Sequence, residues 1–156
     1  MSLPTAIKRG ARMPQIEYLT VANHAEALNG LLYLQGAGWT TVQQAVDPSG
    51  VPTLVNFGIG VSILIGWNET NRRFPLVLRL SDTDGNEVFR LDAQAEAGRP
   101  PGVQIGSDLR SVLAINAGVQ FRHSGGYELR ADLGETEHRS VAFQVLQVRG
   151  IGSAPA

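Results

Sequence analysis

The stretch at 74–97, FPLVLRLSDTDGNEVFRLDAQAEA, decides the fold class. In both of its halves, leucine and other apolar side chains recur at every second position. This period is typical of strands with one buried and one wet face. The halves are separated by residues 82–86, where Gly85 and Asn86 tolerate a positive φ and the aspartates can accept hydrogen bonds from nearby backbone amides. The stretch therefore predicts a β-hairpin.

The same alternation assigns the two faces of this hairpin. Leu78 and Leu91 are expected to point into the core from facing strands, whereas Arg79 and Arg90 fall on the alternate face. Because side chains alternate strictly along a strand, a slip of one residue would exchange the two sets. The assignment is thus a prediction of register as well as of burial.

Strand signals of the same kind recur along the rest of the chain, separated by turn signals roughly every 8 to 12 residues. Outside the hairpin, the predicted strands lie at 16–22, 31–35, 39–42, 55–67, 109–115, 118–122, 127–133 and 139–148. Because some of these segments are interrupted halves of one strand, eight or nine strands are expected. The pattern predicts an all-β fold, an antiparallel two-sheet β-sandwich with immunoglobulin-like or jelly-roll-like topology.

Several segments between the strands have their own signals. Residues 23–30 predict a break that contains one helical turn, and the pair Gly36 and Gly38 predicts a bulge or kink beyond which the preceding strand continues. Proline and glycine predict loops at 47–52 and 98–102, since neither segment can continue a ladder of strand hydrogen bonds.

The chain has no internal repeat and no linker, which predicts a single domain. We expect a flexible N-terminal extension at 1–13, one β-sandwich domain at 14–149 and a flexible C-terminal tail at 150–156. A chain of this length can bury a normal core without metal or disulfide staples.

Composition excludes several classes of function. There is no cysteine, which excludes disulfides, thiolate metal sites and cysteine nucleophiles and is compatible with a reducing cytoplasm. Thirteen basic and fourteen acidic residues give a net charge of −1, and the basic residues form no stripe, so we expect no nucleic-acid partner. The longest apolar run, at 58–67, is about half of what a membrane-spanning helix needs, and no secretory signal is visible. The predicted location is therefore cytoplasmic, with no membrane partner.

No catalytic or metal-binding motif is recognisable. Residues 82–86 present alternate oxygen side chains like the start of a calcium loop, but Glu87 and Ala93 stand where such a loop needs glycine and glutamate. A hairpin turn is the favoured interpretation, and no cofactor is predicted.

The three histidines, His24, His123 and His138, lie in or beside predicted turns without any zinc-site spacing. Glu135 and Glu137 could converge with His138, yet a cluster at a hairpin tip is usually solvated. No G-x-S-x-G elbow is present, although Ser124 neighbours His123. The sequence therefore predicts a protein that is not an enzyme and has neither catalytic residues nor a metal.

Trp39, Trp67 and Tyr33 could form a platform on which a sugar stacks. Aromatic residues make up only 6% of the chain, and both tryptophans adjoin apolar strands, so packing in the core or at a sheet edge is the favoured interpretation. Trp39 and Trp67 are retained as candidate ligand or interface residues.

The order of these signals resembles a family of short, uncharacterised bacterial β-sandwich proteins that are catalogued as a domain of unknown function. The resemblance covers residues 13–148, and Leu31 stands where that family usually has lysine. It is carried by IEYLTVA at 16–22, NGLLYLQGAGW at 29–39, RRFPLVLRLSDTDGNEVF at 72–89, SGGYELRAD at 124–132 and SVAFQV at 140–145. Gly125–Gly126–Tyr127 also resembles the tyrosine corner of immunoglobulin-like domains, although the companion cysteines are missing. The resemblance implies the fold and assigns no activity.

Three hypotheses of function follow. The leading one is a non-enzymatic module that acts through a protein surface and forms a homo-oligomer, since apolar residues on both faces of 58–65 need covering on both sides. The alternative is a small-ligand or carbohydrate-binding module that uses Trp39 or Trp67. The third is a hydrolase or metal enzyme built around His123 or His138, for which a pocket joining a histidine to a carboxylate is the discriminating observation.

Overall fold

The computed structural model describes residues 13–149, so the predicted tail at 150–156 and the predicted extension, apart from Met13, lie outside the described residues. The described part contains ten β-strands, and its only helix is a 3-10 turn at Trp67–Glu69, which confirms the all-β class. The strands are β1 Gln15–Ala22, β2 His24–Leu28, β3 Leu31–Gln35, β4 Thr41–Val46, β5 Val55–Ile65, β6 Phe74–Asp82, β7 Glu87–Ala95, β8 Leu109–Val119, β9 Gly125–Leu133 and β10 Glu137–Arg149. Within this range no helix is long and apolar enough to cross a membrane.

The strands form three sheets. A three-stranded sheet has the order β1-β5-β8, a five-stranded sheet has the order β4-β10-β9-β6-β7, and β2 and β3 form a separate hairpin. All neighbouring strands are antiparallel except β4 and β10, which run parallel.

One hydrophobic core joins the two larger sheets. Alternate residues of β5, from Phe57 to Ile65, are at most 1% exposed, and the Leu residues of β6 are fully buried. They belong to a single cluster with buried residues of β1, β9 and β10. Because apolar residues occupy every second position of these strands, each of the two larger sheets has one apolar face, and the two apolar faces pack together.

The β6–β7 hairpin has the predicted register. Leu78 lies opposite Leu91 and Arg79 lies opposite Arg90. Leu78 is fully buried and Leu91 is half-buried against the core, whereas both arginines are exposed. The prediction of hairpin, faces and pairing is confirmed, with a bulge just before the turn.

The helical turn predicted at 23–30 is wrong, because this segment is β2 and the tight turn that leads into β3. The β2–β3 hairpin lies on the outer face of the three-stranded sheet, where a Cβ added to Gly58 would come within 3.0 Å of the Ala25 backbone. The Asn116 amide fixes this contact, since it donates to the Ala25 carbonyl at 2.7 Å and accepts from the Ala25 amide at 2.9 Å. The glycines of β5 thus allow the β2–β3 hairpin to pack closely on this strand, and they do not form a turn.

Two other strand predictions are corrected. Gly36 and Gly38 do not kink one strand; both have positive φ and separate β3 from β4, which belong to different sheets. The predicted segments 109–115 and 118–122 are joined into one strand, Leu109–Val119, which pairs with β5 along its whole length and ends three residues earlier than predicted. The additional strand β2 and the separation of β3 from β4 account for ten strands instead of eight or nine, and the β2–β3 hairpin is the third sheet.

Candidate functional site

A cleft with a volume of about 750 Å³ lies between the turn that joins β6 to β7 and the segment that joins β8 to β9. The first residues of β7 and the last of β8 form its walls. Its lining residues are Leu54, Asp82, Asn86, Glu87, Val88, Phe89, Gly118, Val119, Gln120, Arg122, His123 and Tyr127. Both strands are outer strands of their sheets, so the cleft is an opening between two sheet edges.

Asp82, the last residue of β6, organises the turn on one side of this cleft. Its Oδ1 accepts hydrogen bonds from the Asp84 and Asn86 backbone amides, both at 2.9 Å, and its Oδ2 accepts one from the Asn86 side chain at 3.0 Å. These hydrogen bonds, the Asn86 side chain first, hold the pKa of Asp82 below its ordinary value. The carboxylate is nearly buried and stays charged.

His123 reaches this carboxylate from the other side of the cleft. Its Nε2 lies 3.3 Å from Asp82 Oδ2, and its Nδ1 lies 3.1 Å from the Ser124 carbonyl oxygen. Since both ring nitrogens face acceptors, the doubly protonated imidazolium satisfies both. The Ser124 carbonyl first, and then Asp82, raise the pKa of His123, while half of its side chain stays exposed to the cleft.

Tyr127, near the start of β9, holds His123 in place through a hydrogen bond and a ring contact. Its hydroxyl donates to the His123 carbonyl oxygen at 2.8 Å, and its ring stacks on the imidazole with centroids 5.7 Å apart. The ring also packs edge-on against Phe121 in the core, and burial raises the pKa of the Tyr127 phenol. Tyr127 therefore fixes both the backbone and the imidazole ring of His123.

The remaining lining residues supply both charge and apolar surface. Arg122 is exposed, and within residues 13–149 no carboxylate lies within ion-pairing distance of its guanidinium. Glu87 is exposed on the facing strand, while Val88 and Phe89 are half-buried and Leu54 is 70% exposed. The cleft thus combines a free cation, a free anion and an apolar wall.

A second, smaller groove of about 330 Å³ lies beside β8 on the outer face of the three-stranded sheet. Tyr18, Leu31 and Tyr33 border it with large exposed apolar surfaces. At its floor, the Ser62 hydroxyl is buried and has no hydrogen-bond partner among the described residues. Arg110 of β8, which also borders this groove, pairs with Glu17 at 2.7 Å.

The two tryptophans predicted as candidate ligand or interface residues lie outside both of these openings. The Trp39 ring packs edge-on against Phe57 and Phe143, and its Nε1 donates to the Gly36 carbonyl oxygen. The Trp67 ring is faced by the Arg99 guanidinium, 4.0 Å from the ring centroid. Both residues are half-buried.

The structure separates the three histidines. His123 lines the large cleft, whereas His24 and His138 are exposed on β2 and β10. In the part of the chain that the structure describes, no three histidine, aspartate or glutamate side chains converge as metal ligands do. Of the residues singled out in the sequence, Asp82, Asn86, His123, Ser124 and Tyr127 come together beside the large cleft.

The sequence did not indicate Arg122, Glu87 or Phe89 as members of a site. A weak signal was present, because Arg122 ends a predicted strand and His123 lies between that strand and a glycine turn, where binding residues are common. The Asp82–His123 contact joins residues 41 positions apart, and no local pattern records such a pairing.

Comparison with known families gives one match. The model of a "Family of unknown function (DUF6941)" matches residues 17–146. No curated protein matches the sequence.

Proposed function

The chain belongs to this family of unknown function (DUF6941), and we propose that it is a non-enzymatic interaction module that forms a homodimer. In the dimer, the free edge of β8 pairs antiparallel with β8 of a second copy. The observation that carries the proposal is an open edge strand of eleven residues, Leu109–Val119.

The composition of β8 is unusual for a strand at the edge of a sheet. From 111 to 119 it reads SVLAINAGV and contains no charged residue, no proline and only one glycine. Long uncharged edges expose unpaired backbone donors and acceptors and readily pair with another strand. Most of these residues are half-exposed, although Leu109, Leu113 and Ile115 also contact the core.

The backbones of two other outer strands are occupied within the described residues. On β1, Arg139 donates to the Glu17 carbonyl oxygen at 2.7 Å and the Gly38 amide donates to the Val21 carbonyl oxygen. On β4, the Thr53 amide donates to the Ala45 carbonyl oxygen at 2.8 Å. Both edges are therefore partly covered by the chain itself.

The other outer strand of the five-stranded sheet, β7, is protected from pairing with a further strand by charged side chains. Glu87, Arg90 and Asp92 are exposed along it, and Arg90 pairs with Asp92 at 3.3 Å. Charged side chains on an edge oppose pairing with a second strand. Among the outer strands of the two larger sheets, within residues 13–149, β8 alone has neither a loop hydrogen bond to its backbone nor a run of charges.

Charge and surface support a second copy as the partner. A net charge of −1 gives little repulsion between identical chains. The groove with Tyr18, Leu31 and Tyr33 borders the first half of β8, so pairing would cover apolar surface as well as backbone.

The test is the molecular mass measured by sedimentation or light scattering across a wide range of concentration. We expect a reversible dimer for the native chain and a monomer for Val112→Lys, which places a charge on the outward face of β8. The matched control is Gln94→Lys, an outward position on the already charged edge β7, which should leave the dimer intact. Circular dichroism checks that both variants fold.

Two results would overturn this proposal. A native chain that stays monomeric at every concentration rules out self-association. A dimer that dissociates in Gln94→Lys and survives Val112→Lys places the interface on β7.

The carbohydrate-binding alternative through Trp39 or Trp67 has less support. Phe57 and Phe143 pack against the Trp39 ring, and Arg99 covers a face of Trp67, so neither ring offers an open platform. The enzyme hypothesis gains the His123–Asp82 contact, but the nearby Ser124 hydroxyl is bonded to the Gln147 amide and not to the His123 ring.

The proposal includes a finer fold class and a location. We assign the chain to the two-sheet sandwiches with an added hairpin, of immunoglobulin-like type. Support comes from the Tyr127 hydroxyl, which bonds the backbone four residues upstream as a tyrosine corner does. We place the protein in the cytoplasm, since a chain without cysteine needs no oxidising compartment.

A further inference from the structure

The large cleft presents opposite charges in equal number. Arg122 and His123 face it from the segment after β8, and Asp82 and Glu87 face it from the β6–β7 turn. Asp82 is engaged by the turn and by His123, which leaves Arg122 and Glu87 as the free charges. A site of this balance favours a neutral polar ligand over an ion, since either sign of ligand would meet a like charge.

The polar groups of the cleft offer both donors and acceptors over a short span. The guanidinium of Arg122 donates and the carboxylate of Glu87 accepts. The amides of Asn86 and Gln120 already donate one hydrogen bond each, to Asp82 and to the Pro52 carbonyl oxygen, and keep a second N–H and an amide oxygen for a ligand. A ligand with many hydroxyl groups, each of which donates and accepts, fits such a set. The His123 ring is held by Asp82, Ser124 and Tyr127 and so presents its edge without rearrangement.

The cleft also has an apolar surface. Val88 and Phe89 are half-buried on β7, and Leu54 projects from the neighbouring loop with 70% of its surface exposed. The C–H faces of sugar rings pack on aromatic and aliphatic surfaces of this kind. The volume of about 750 Å³ lies within the range of small-molecule sites.

We propose that this cleft binds a neutral saccharide, with its hydroxyl groups between Arg122 and Glu87 and its ring faces on Phe89 and Leu54. This site goes beyond the dimer interface, which lies along the edge of β8. It also moves carbohydrate recognition away from the tryptophans to a place that the sequence did not indicate.

The experiment is saturation-transfer NMR on the full chain with maltose, cellobiose and N,N′-diacetylchitobiose, followed by amide chemical-shift titration. Sodium glucuronate serves as the anionic comparison. We expect at least one neutral disaccharide to bind and to shift the amides around 86–89 and 120–123. Arg122→Ala and Glu87→Ala should each weaken that binding at least about tenfold, because each removes hydrogen bonds to a charged group.

Arg79→Ala, an exposed arginine outside the cleft lining, is the matched control and should bind like the native chain. Val112→Lys should also bind normally, so a failed dimer and a failed saccharide site are distinguished. The proposal is overturned if none of the three disaccharides binds, if glucuronate alone binds, or if neither Arg122→Ala nor Glu87→Ala weakens binding.

Discussion

The outer strands β7 and β8 border the same cleft, yet their free edges differ in how readily they can pair with another strand. β7 alternates between a core-facing set and an exposed set that includes Arg90 and Asp92. β8 has no charge between 111 and 119, and half-buried residues on both of its faces. One edge is therefore protected by hydrated charge and the other is left able to pair.

This difference shows why an edge has to be judged by its outward side chains and not by its place in a sheet. The outward residues of β7 contact water or one another, so they contribute little to the fold. On β8, by contrast, outward Asn116 holds β2 and outward Val112 borders the smaller groove. The outward side chains of β8 thus contribute to the stability of the fold, whereas those of β7 contribute little.

The largest expected effect concerns the buried face of the β6–β7 hairpin. Leu78→Ala should destabilise the domain by about 2–5 kcal/mol, since it opens a cavity at a fully buried position. Leu91→Ala should cost less than Leu78→Ala, because Leu91 is only half-buried. Denaturant unfolding measures both.

The wet face of the same hairpin is the control. Arg79→Ala and Arg90→Ala should each change the free energy of unfolding by less than about 1 kcal/mol, because both side chains are exposed. Arginine variants as damaging as the leucine variants would mean that this face is covered in an assembly. In that case the contrast between β7 and β8 would break down.

A smaller effect is expected at Asn116, on the outward face of β8. Asn116→Ala should cost about 1–3 kcal/mol, because it leaves the Ala25 amide and carbonyl without their partners. Asp92→Ala, outward on β7, removes only an exposed ion pair and should cost less than about 1 kcal/mol. Equal costs for the two variants would contradict the structural role assigned to the outward face of β8.

The next prediction tests whether the β8 edge is occupied in solution. Dimer formation makes the native chain more stable at higher concentration, by about 1.4 kcal/mol per tenfold increase for a dimer that unfolds to two chains. Val112→Lys should lose this dependence and Gln94→Lys should keep it. Thermal unfolding at several concentrations is the measurement, and a midpoint independent of concentration in the native chain would argue against pairing.

Local periodicity predicted those parts of the fold that one strand and its own turn determine. The β6–β7 hairpin, with Leu78 opposite Leu91, is an example, since adjacent strands joined by a tight turn have their register fixed by that turn. The segment HAEAL at 24–28 lies within the predicted break at 23–30, and its alanine, glutamate and leucine favour helix. Its pairing with β3 and its contact with Gly58 override that propensity.

The candidate site was less predictable, because it depends on which strands lie at the edges of their sheets. Arg122 and Glu87 line the same cleft only because β7 and β8 are outer strands of different sheets. Local sequence patterns predict neither the order of strands that are distant in the chain nor the contact between His123 and Asp82. Tyr127 could be anticipated in part, since the sequence resembles a tyrosine corner.

The smallest expected effect is the pH dependence of the contact that joins the two sides of the cleft. The Ser124 carbonyl and the Asp82 carboxylate raise the pKa of His123 above its ordinary value of 6.5. The folded state therefore binds the proton more tightly than the unfolded chain, with Asp84 and Tyr127 the other titratable groups beside the ring. The resulting stability is fully present below the ordinary pKa and is lost as pH rises through the pKa of the folded state.

Comparison of the native chain with His123→Gln at about pH 5.5 and about pH 8.5 isolates this contribution from other titrating groups. The native chain should have its greater advantage in stability at the acidic pH, and the difference should shrink at the basic pH. Asp82 has the opposite sign: its pKa is lowered, so its contribution is present above 3.8 and is lost as pH falls through the depressed value. An advantage over His123→Gln that grows from the acidic to the basic pH would mean that the ring is bound as neutral imidazole. The two sides of the cleft would then be joined by packing on Tyr127 and not by charge.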